Sequence, residues 1–366
     1  MRLESPDGAA PRLPYAPALD GIRGIAILLV FFYHSGRLVG GWIGVDLFFT
    51  LSGYLITSIL VMEYERDRSI RLGRFLTRRA FRLLPALGVV LCVALVLSLL
   101  LHDNVRGTAI DAAAALGDML NFRYAFFHPS TQTGLGHLWS LSVEEKFYII
   151  WPIFLIVSMS TIGRKGSMVC ALGLVVAIVV WRALLVAADG PSIYGRVYFG
   201  FDTHTDELLI GSALALWGYH PGQAVSRKLL WCWPAFAVMV AVVLLKVDAD
   251  TRWEAVSSYP LLGAGAAFLI IVATPDKATV VTRILTIVPL VALGRISYGF
   301  YLWHYLIMTR LNGHGVEGSK AMLATFGLTL TASIASYHLI ERPALRFHAN
   351  WSAPRSIALA RQRNPA

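Results

Sequence analysis

The sequence predicts an all-α protein, a polytopic membrane helix bundle of about ten transmembrane helices. Three observations carry that prediction. The 366-residue chain is 56% hydrophobic, and only 15% of it is charged. Its apolar runs repeatedly reach about 20 residues, the length that crosses ~30 Å of hydrocarbon as a helix. Read between polar punctuation, these runs place spans near 19–36, 42–62, 83–101, 139–159, 168–187, 206–219, 229–245, 258–274, 295–311 and 321–340. Residues 1–16 read as a disordered cytoplasmic lead-in, 17–345 as the transmembrane domain and 346–366 as a basic cytoplasmic tail. No cleavable leader is expected, because Arg23 and His34 bracket the first apolar core and no small-residue cleavage pattern follows.

Orientation follows from the basic residues. Between the second and third spans, "EYERDRSIRLGRFLTRRAFR" gathers Arg66, Arg68, Arg71, Arg74, Arg78, Arg79 and Arg82, which marks the cytoplasmic side. Alternate later loops carry Arg164 with Lys165, Arg227 with Lys228 and Lys277 with Arg283, and the tail carries Arg342, Arg346 and Arg355. An even number of spans with both termini cytoplasmic, in the inner cell membrane, fits this pattern. The same placement excludes nucleic acid as the partner of the +10 net charge, since the positive residues sit in short loops between spans. Cys92, Cys170 and Cys232 all fall in apolar stretches and read as core fillers rather than a disulfide framework.

Two segments resist a simple assignment. Residues 109–127, "AIDAAAALGDMLNFRYAFF", carry Asp111, Asp118, Asn121 and Arg123, and a crossing there would flip every later loop. They are expected on or half inside the outer interface. Residues 284–293, set off by Pro289 and Gly294, are expected as an interfacial segment on the cytoplasmic side.

Polar residues inside the spans are the candidates for function, because a charge at mid-membrane depth costs ~2.5 to 3.5 kcal/mol even on the lenient insertion scale. In "PALDGIRGIAILLVFFYH", Arg23 and His34 lie eleven residues apart, three helical turns plus about 20° and a rise of ~16 Å, so both point the same way. Asp20 neighbours Arg23 on that face. A histidine that merely bonds a neighbouring helix is the ordinary alternative for His34, and the shared face with Arg23 argues against it. Asp46, one turn into the second span, sits at the depth expected for His34, where a carboxylate would fix the imidazole tautomer. Its alternative role is a helix N-terminal acid.

The fourth span opens "GHLWSLSVEEKFYIIWP". Ser142 and Glu145 have capping-box spacing, which leaves Glu144, on one face with Ser140 and Tyr148, as the functional acid. His137 and Trp139 sit at its mouth. In "GRISYGFYLWHYLI", Ser297, Tyr301 and His304 share a face. The loop "YFGFDTHTDELLIG" adds Asp202, His204 and Asp206, but no second histidine at helical spacing accompanies them, so no metal is expected there and acceptor contact or loop capping is.

Six ordered stretches resemble one family: "LDGIRGIAILLVFFYH", "GGWIGVDLFFTLSGYLI", "RRAFRLLP", "HLWSLSVEEKFYIIWP", "ISYGFYLWH" and the closing "ERP" at Glu341 to Pro343. The sequence resembles the membrane acyltransferase 3 family, bacterial multi-pass enzymes that transfer acetyl or other acyl groups to sugars and related hydroxyls. The resemblance covers roughly residues 17–345. It implies that His34 is essential, that Arg23 is its paired basic residue and that acyl-CoA, in the default case acetyl-CoA, is the cytoplasmic donor. Lys146 stands where the family more commonly has Gln, and His204 where it has Arg. The chain stops soon after its last span, so the membrane domain is expected to handle the acceptor alone.

Residue chemistry and resemblance together give an expected mechanism. Arg78, Arg79 and Arg82 hold the donor phosphates. Arg23 guides the donor, and His34 acts as general base or transient acyl carrier with Asp46 or Glu144 stabilising the imidazolium. His137, Trp139, Ser140, Tyr148, Asp202, Tyr301 and His304 are the candidate contacts to a glycan, glycolipid or small hydroxyl-bearing acceptor. A transporter or flippase of a glycan or lipid-linked substrate is the alternative. It would spread polar residues through most helices, whereas the fifth, seventh and eighth spans are nearly bare apart from Arg182.

Overall fold

A computed structural model gives the structure of the protein and describes residues 13–127, 129, 133–189, 193–225, 252–351 and scattered positions from 231 to 241. Among these residues the secondary structure is helical, apart from one isolated bridge between Gln223 and Pro275. In chain order the helices are α1 (Pro17–His34), α2 (Ile43–Asp67), α3 (Leu72–Leu100), α4 (Val105–Leu116), α5 (Leu120–Phe127), α6 (Trp139–Thr161), α7 (Gly163–Asp189), α8 (Tyr194–Phe199) and α9 (Asp206–Trp217). They continue with α10 (Arg252–Ala273), α11 (Val280–Leu285), α12 (Val288–Arg295), α13 (Ser297–Gly313), α14 (Gly318–Ser336) and α15 (Arg342–Trp351).

Among the described residues, five helical stretches are long and apolar enough to cross a membrane: Pro17–His34, Val39–Asp67, Leu72–Leu100, Gly163–Ala188 and Gly318–His348. A shorter apolar helix runs over Ser258–Ala273. The ten expected spans are thus not all present among the described residues. α6 has the length, but Glu144, Glu145 and Lys146 interrupt its apolar run. α9 has 12 residues, about 18 Å at 1.5 Å per residue, well short of the hydrocarbon thickness. The span expected at 229–245 lies largely outside the described residues.

The chain divides into two compact units: residues 1–70, 117–129 and 136–297 form one, and residues 71–116, 130–135 and 298–366 the other. In the first unit α2 and α9 cross with their backbones touching. A Cβ on Gly53 would run into the Leu208 carbonyl, and one on Gly211 into the Thr50 carbonyl, so this crossing demands glycine on both helices. Hydroxyls lock the same crossing: Thr57 Oγ1 donates to Ser212 Oγ at 2.8 Å and accepts from Trp151 Nε1 at 2.7 Å. α1 meets α11 and α12 in the same manner, Gly21 against the Leu285 carbonyl and Gly294 against the Asp20 carbonyl. Residues 284–293 therefore run from the end of α11 through most of α12, both helices packed on α1.

In the second unit the arginine-rich segment is not a loop. α3 begins at Leu72, so Arg74, Arg78, Arg79 and Arg82 are helical. Arg74, Arg78 and Arg82, at four-residue spacing, form one stripe. Tyr298 donates to the Leu83 carbonyl at 2.7 Å, tying α13 to α3. Asp111 on α4 is fully buried and accepts from Thr133 Oγ1 at 2.7 Å, while Arg310 pairs with Asp103. The segment 109–127 is broken between α4 and α5, where Asp118 takes a φ of 56°, and neither piece is long enough to cross. All three cysteines lie at exposed positions instead of in the core. The outward face of a membrane helix is as apolar as its inner face, so hydropathy did not separate the two.

Candidate functional site

α1 places Arg23 and His34 on one side of a continuous helix, and the positions between them on that side are Ile27 and Val30, neither of them exposed. That face looks into protein. Arg23 Nη1 lies 3.4 Å from Asp20 Oδ1, and Asp20 is also approached by Arg295 Nε at 3.7 Å and receives a hydrogen bond from the Tyr15 hydroxyl at 3.0 Å. His34, half-buried, stands edge-on to Tyr33 at a centroid distance of 5.3 Å.

Asp46 does not pair with His34. Its Oδ1 lies 3.0 Å from His204 Nε2, and the carboxyl is buried. The reason is the α2–α9 crossing, which brings the first turn of α2 against the residues that lead into α9. His204 Nδ1 donates to the Tyr198 carbonyl at 2.6 Å. Its ring stacks on Tyr259 at 4.2 Å and is flanked by Phe49, Trp139 and Tyr198. Next to it, Arg182 from α7 grips Asp206 with two bonds of 2.8 and 2.7 Å and donates to the Thr203 carbonyl at 2.7 Å, all with no exposure. Glu207 completes this buried charge cluster, its Oε1 lying 3.8 Å from His204 Nε2.

The α6 residues divide. His137 and Ser140 are buried, and Trp139 joins the aromatic wall around His204. Tyr148 bonds Ser52 on α2, hydroxyl to hydroxyl at 2.6 Å. Glu144 is half-buried. The expected Ser142–Glu145 capping box is absent because α6 starts at Trp139, which puts Ser142 beyond the capping position. Lys146 instead reaches the turn before α5, bonding the Asp118 carbonyl and Asn121 Oδ1.

Asp202 is held by Arg196 and by Trp181 Nε1 at 2.8 Å. Burial alone would raise its carboxyl, but those two hydrogen bonds win and hold it below the ordinary range. In the second unit Tyr301 and His304 are buried, and His304 Nδ1 bonds the Tyr301 carbonyl at 2.7 Å, a contact within its own helix. There, Arg79 lies over the Phe75 ring at 5.7 Å, and the charge of Arg82 acts on the Glu341 carboxylate.

Arg182 and Glu207 were not singled out as site residues from the sequence. The signal for Arg182 was present: a lone arginine midway along an apolar run needs a buried acid. Glu207 gave none, since an acid in the first turn of a helix is ordinary.

The family model described as an acyltransferase domain, that of the acyltransferase 3 family, matches residues 17–339. Among curated proteins, the chain is 33% identical over 357 residues to "Putative O-acetyltransferase SACOL0978" of Staphylococcus aureus (strain COL), covering 91% of this chain and 58% of that protein. It is 32% identical over 347 residues to "O-acetyltransferase OatA" of Staphylococcus aureus (strain NCTC 8325 / PS 47), covering 90% of this chain and 57% of that protein. The chain thus spans a little over half the length of these relatives. No solved structure matches it. With one family model matching residues 17–339 and both of these relatives named O-acetyltransferases, the chain belongs to the acyltransferase 3 family.

Proposed function

We propose that this protein is an inner-membrane O-acyltransferase that moves an acyl group, acetyl by default, from cytoplasmic acyl-CoA to a hydroxyl of a glycan, glycolipid or related acceptor. The observation that supports this most directly is the α1 face carrying Arg23 and His34 at its two ends with the unexposed Ile27 and Val30 between them. A helix that spends membrane-depth positions on a guanidinium and an imidazole, both turned inward, is built for a reactant that bridges them. The ~16 Å separation is comparable with the reach of a pantetheine arm.

In this reading the donor docks from the cytoplasm, where Arg78, Arg79 and Arg82 supply charge-assisted contacts to its phosphates. Arg23 guides it. His34 takes the acceptor proton as general base as the hydroxyl oxygen attacks the thioester carbonyl, the carbon–sulfur bond breaks, and the thiolate leaves with that proton. In the carrier variant the imidazole nitrogen attacks the thioester carbonyl and the carbon–sulfur bond breaks to release the thiolate; the acceptor oxygen then takes the acyl group, the nitrogen–acyl bond breaks, and the hydroxyl proton passes to the freed imidazole. Glu144 is the acid assigned to the imidazolium, since Asp46 is engaged by His204. The acceptor contacts are His137, Trp139, Ser140, Tyr148, Asp202, Tyr301 and His304. A helical membrane bundle with both termini cytoplasmic completes the proposal.

The test uses the full chain purified in detergent, assayed for acetyl-CoA turnover with and without hydroxyl acceptors. Wild type should turn over and His34→Ala should fall by about 10² to 10⁴, the usual worth of a positioned base. Unchanged turnover in a folded His34→Ala protein would overturn the assignment. Mass spectrometry of surface glycans from a deletion strain would identify the acceptor.

A further inference from the structure

The buried cluster on α2 and α9 holds more carboxyl groups than its guanidinium bonds among the described residues. Asp46, Asp206 and Glu207 bring three carboxylates, all essentially without exposure. Among the described residues, the guanidinium beside them is that of Arg182, which is committed through both terminal nitrogens to Asp206. That leaves Asp46 and Glu207 facing His204. Asp46 Oδ2 and both carboxylate oxygens of Glu207 are buried without a hydrogen-bond partner among the described residues. Carboxylate oxygens stripped of water and left unbonded need a cation or a proton.

The histidine is arranged to supply a lone pair. Its Nδ1 proton goes to the Tyr198 carbonyl, so Nε2 is the nitrogen turned toward the two acids. A backbone carbonyl accepting from one ring nitrogen is the usual outer partner of a histidine whose other nitrogen binds metal. Nε2 lies 3.0 Å from Asp46 Oδ1 and 3.8 Å from Glu207 Oε1, and the three donors are mutually within 4.8 Å. Donors around a tetrahedral ion with bonds near 2.1 Å stand roughly 3.4 Å apart, a value these separations straddle. With both Glu207 oxygens unpartnered, a chelating carboxylate would bring the donor count to four.

We propose that Asp46, His204 and Glu207 form a binding site for one divalent transition-metal ion of the zinc class, which braces the first turn of α2 against the start of α9. One nitrogen and carboxylate oxygens suit zinc, manganese or cobalt and not a thiolate-seeking ion. The sequence argued against a metal because no second histidine stands at helical spacing from His204. The fold supplies the missing donor from α2, more than 150 residues away in the chain. The ion also balances the cluster: two charges on the metal meet the two carboxylates that Arg182 does not hydrogen-bond. This inference stands apart from the acyl-transfer reading and does not depend on it.

The test is metal content. The full chain, purified in detergent without a histidine tag, is stripped with a chelator and reloaded separately with Zn²⁺, Mn²⁺ and Co²⁺ at micromolar free concentration. Wild type should hold one ion per chain by mass spectrometry, give the intense visible bands of four-coordinate Co²⁺, and melt at a higher temperature when loaded. Glu207→Gln should bind at least about tenfold more weakly. His204→Arg places a guanidinium between the two acids, so it should fold, take up no ion and melt at a temperature indifferent to metal. A folded wild type that takes up no ion overturns the proposal. Equal retention of the ion by Glu207→Gln and His204→Arg overturns it as well.

Discussion

Arg182 and Asp206 meet side by side in the interior, Nη1 to Oδ1 at 2.8 Å and Nη2 to Oδ2 at 2.7 Å, joining α7 to the first residue of α9. Removing one partner strands the other as an uncompensated buried charge, at a cost of ~3–5 kcal/mol. Arg182→Met should therefore lower the melting temperature sharply, and Asp206→Asn should do likewise. The double variant Arg182→Met with Asp206→Leu should recover much of the loss, because two packed apolar side chains leave no charge unpaired. Thermal unfolding of detergent-solubilised protein measures all three.

The α2–α9 crossing makes a second prediction. Gly53→Ala forces a Cβ against the Leu208 carbonyl, and backbone cannot yield as a side-chain tip can. The cost should be about 1–3 kcal/mol, the usual range for overpacking. Gly173, exposed on α7 with open space around its would-be Cβ, is the control. There, Gly173→Ala should leave the protein unchanged or stabilise it by up to about 1 kcal/mol, from helix propensity alone. A Gly53→Ala melt matching wild type would contradict the close crossing.

How much of this was legible in the sequence depends on which link is asked about. Hydropathy found the apolar helices, and a pattern of 3.6 residues per turn put Arg23 and His34 on one face of α1. Hydropathy did not reveal that α9 is half a membrane long, because a short buried helix and a spanning one share the same composition. Nor did it separate Arg78 on a helix from Arg78 in a loop, since charge reports the side of the membrane and says nothing of backbone conformation. Asp46 was recognised as an acid needing an imidazole. Shared membrane depth pairs it with His34, whereas the glycines at 53 and 211 bring His204 to it from beyond 150 positions along the chain. Long-range pairing of that sort has no local signature.

His220, in the turn after α9, gives a pH prediction. Burial disfavours its charged form, and the Arg164 guanidinium adds repulsion that Glu65 only partly offsets, so the imidazole titrates below its ordinary value. A histidine whose folded value is depressed contributes stability that is intact above the unfolded value, about 6.5, and is lost as pH falls through the folded one. Arg164 itself is fixed, donating to the Leu216 and Ala215 carbonyls at 2.8 and 3.0 Å and pairing with Glu65 at 2.8 Å. Melting temperature should decline as pH drops below about 6.5. His220→Gln should flatten that part of the curve, and an identical curve in the variant would remove His220 as its source.

Arg23 separates donor capture from chemistry. Its guanidinium is poised beside Asp20, which Arg295 and the Tyr15 hydroxyl also hold in place, so it is a positioned charge. Arg23→Ala should raise KM for acetyl-CoA about tenfold, the worth of one charge-assisted contact of ~1.5 kcal/mol, while kcat changes far less. Arg23→Lys keeps the charge and should recover part of the affinity. Asp20→Asn keeps the guanidinium but loosens its anchor, so its KM should fall between wild type and Arg23→Ala. A role in packing alone would lower melting temperature across this series without ordering KM by charge. Steady-state kinetics with donor varied at saturating acceptor distinguishes the two, and a KM indifferent to the loss of Arg23 would leave the donor path elsewhere in the protein.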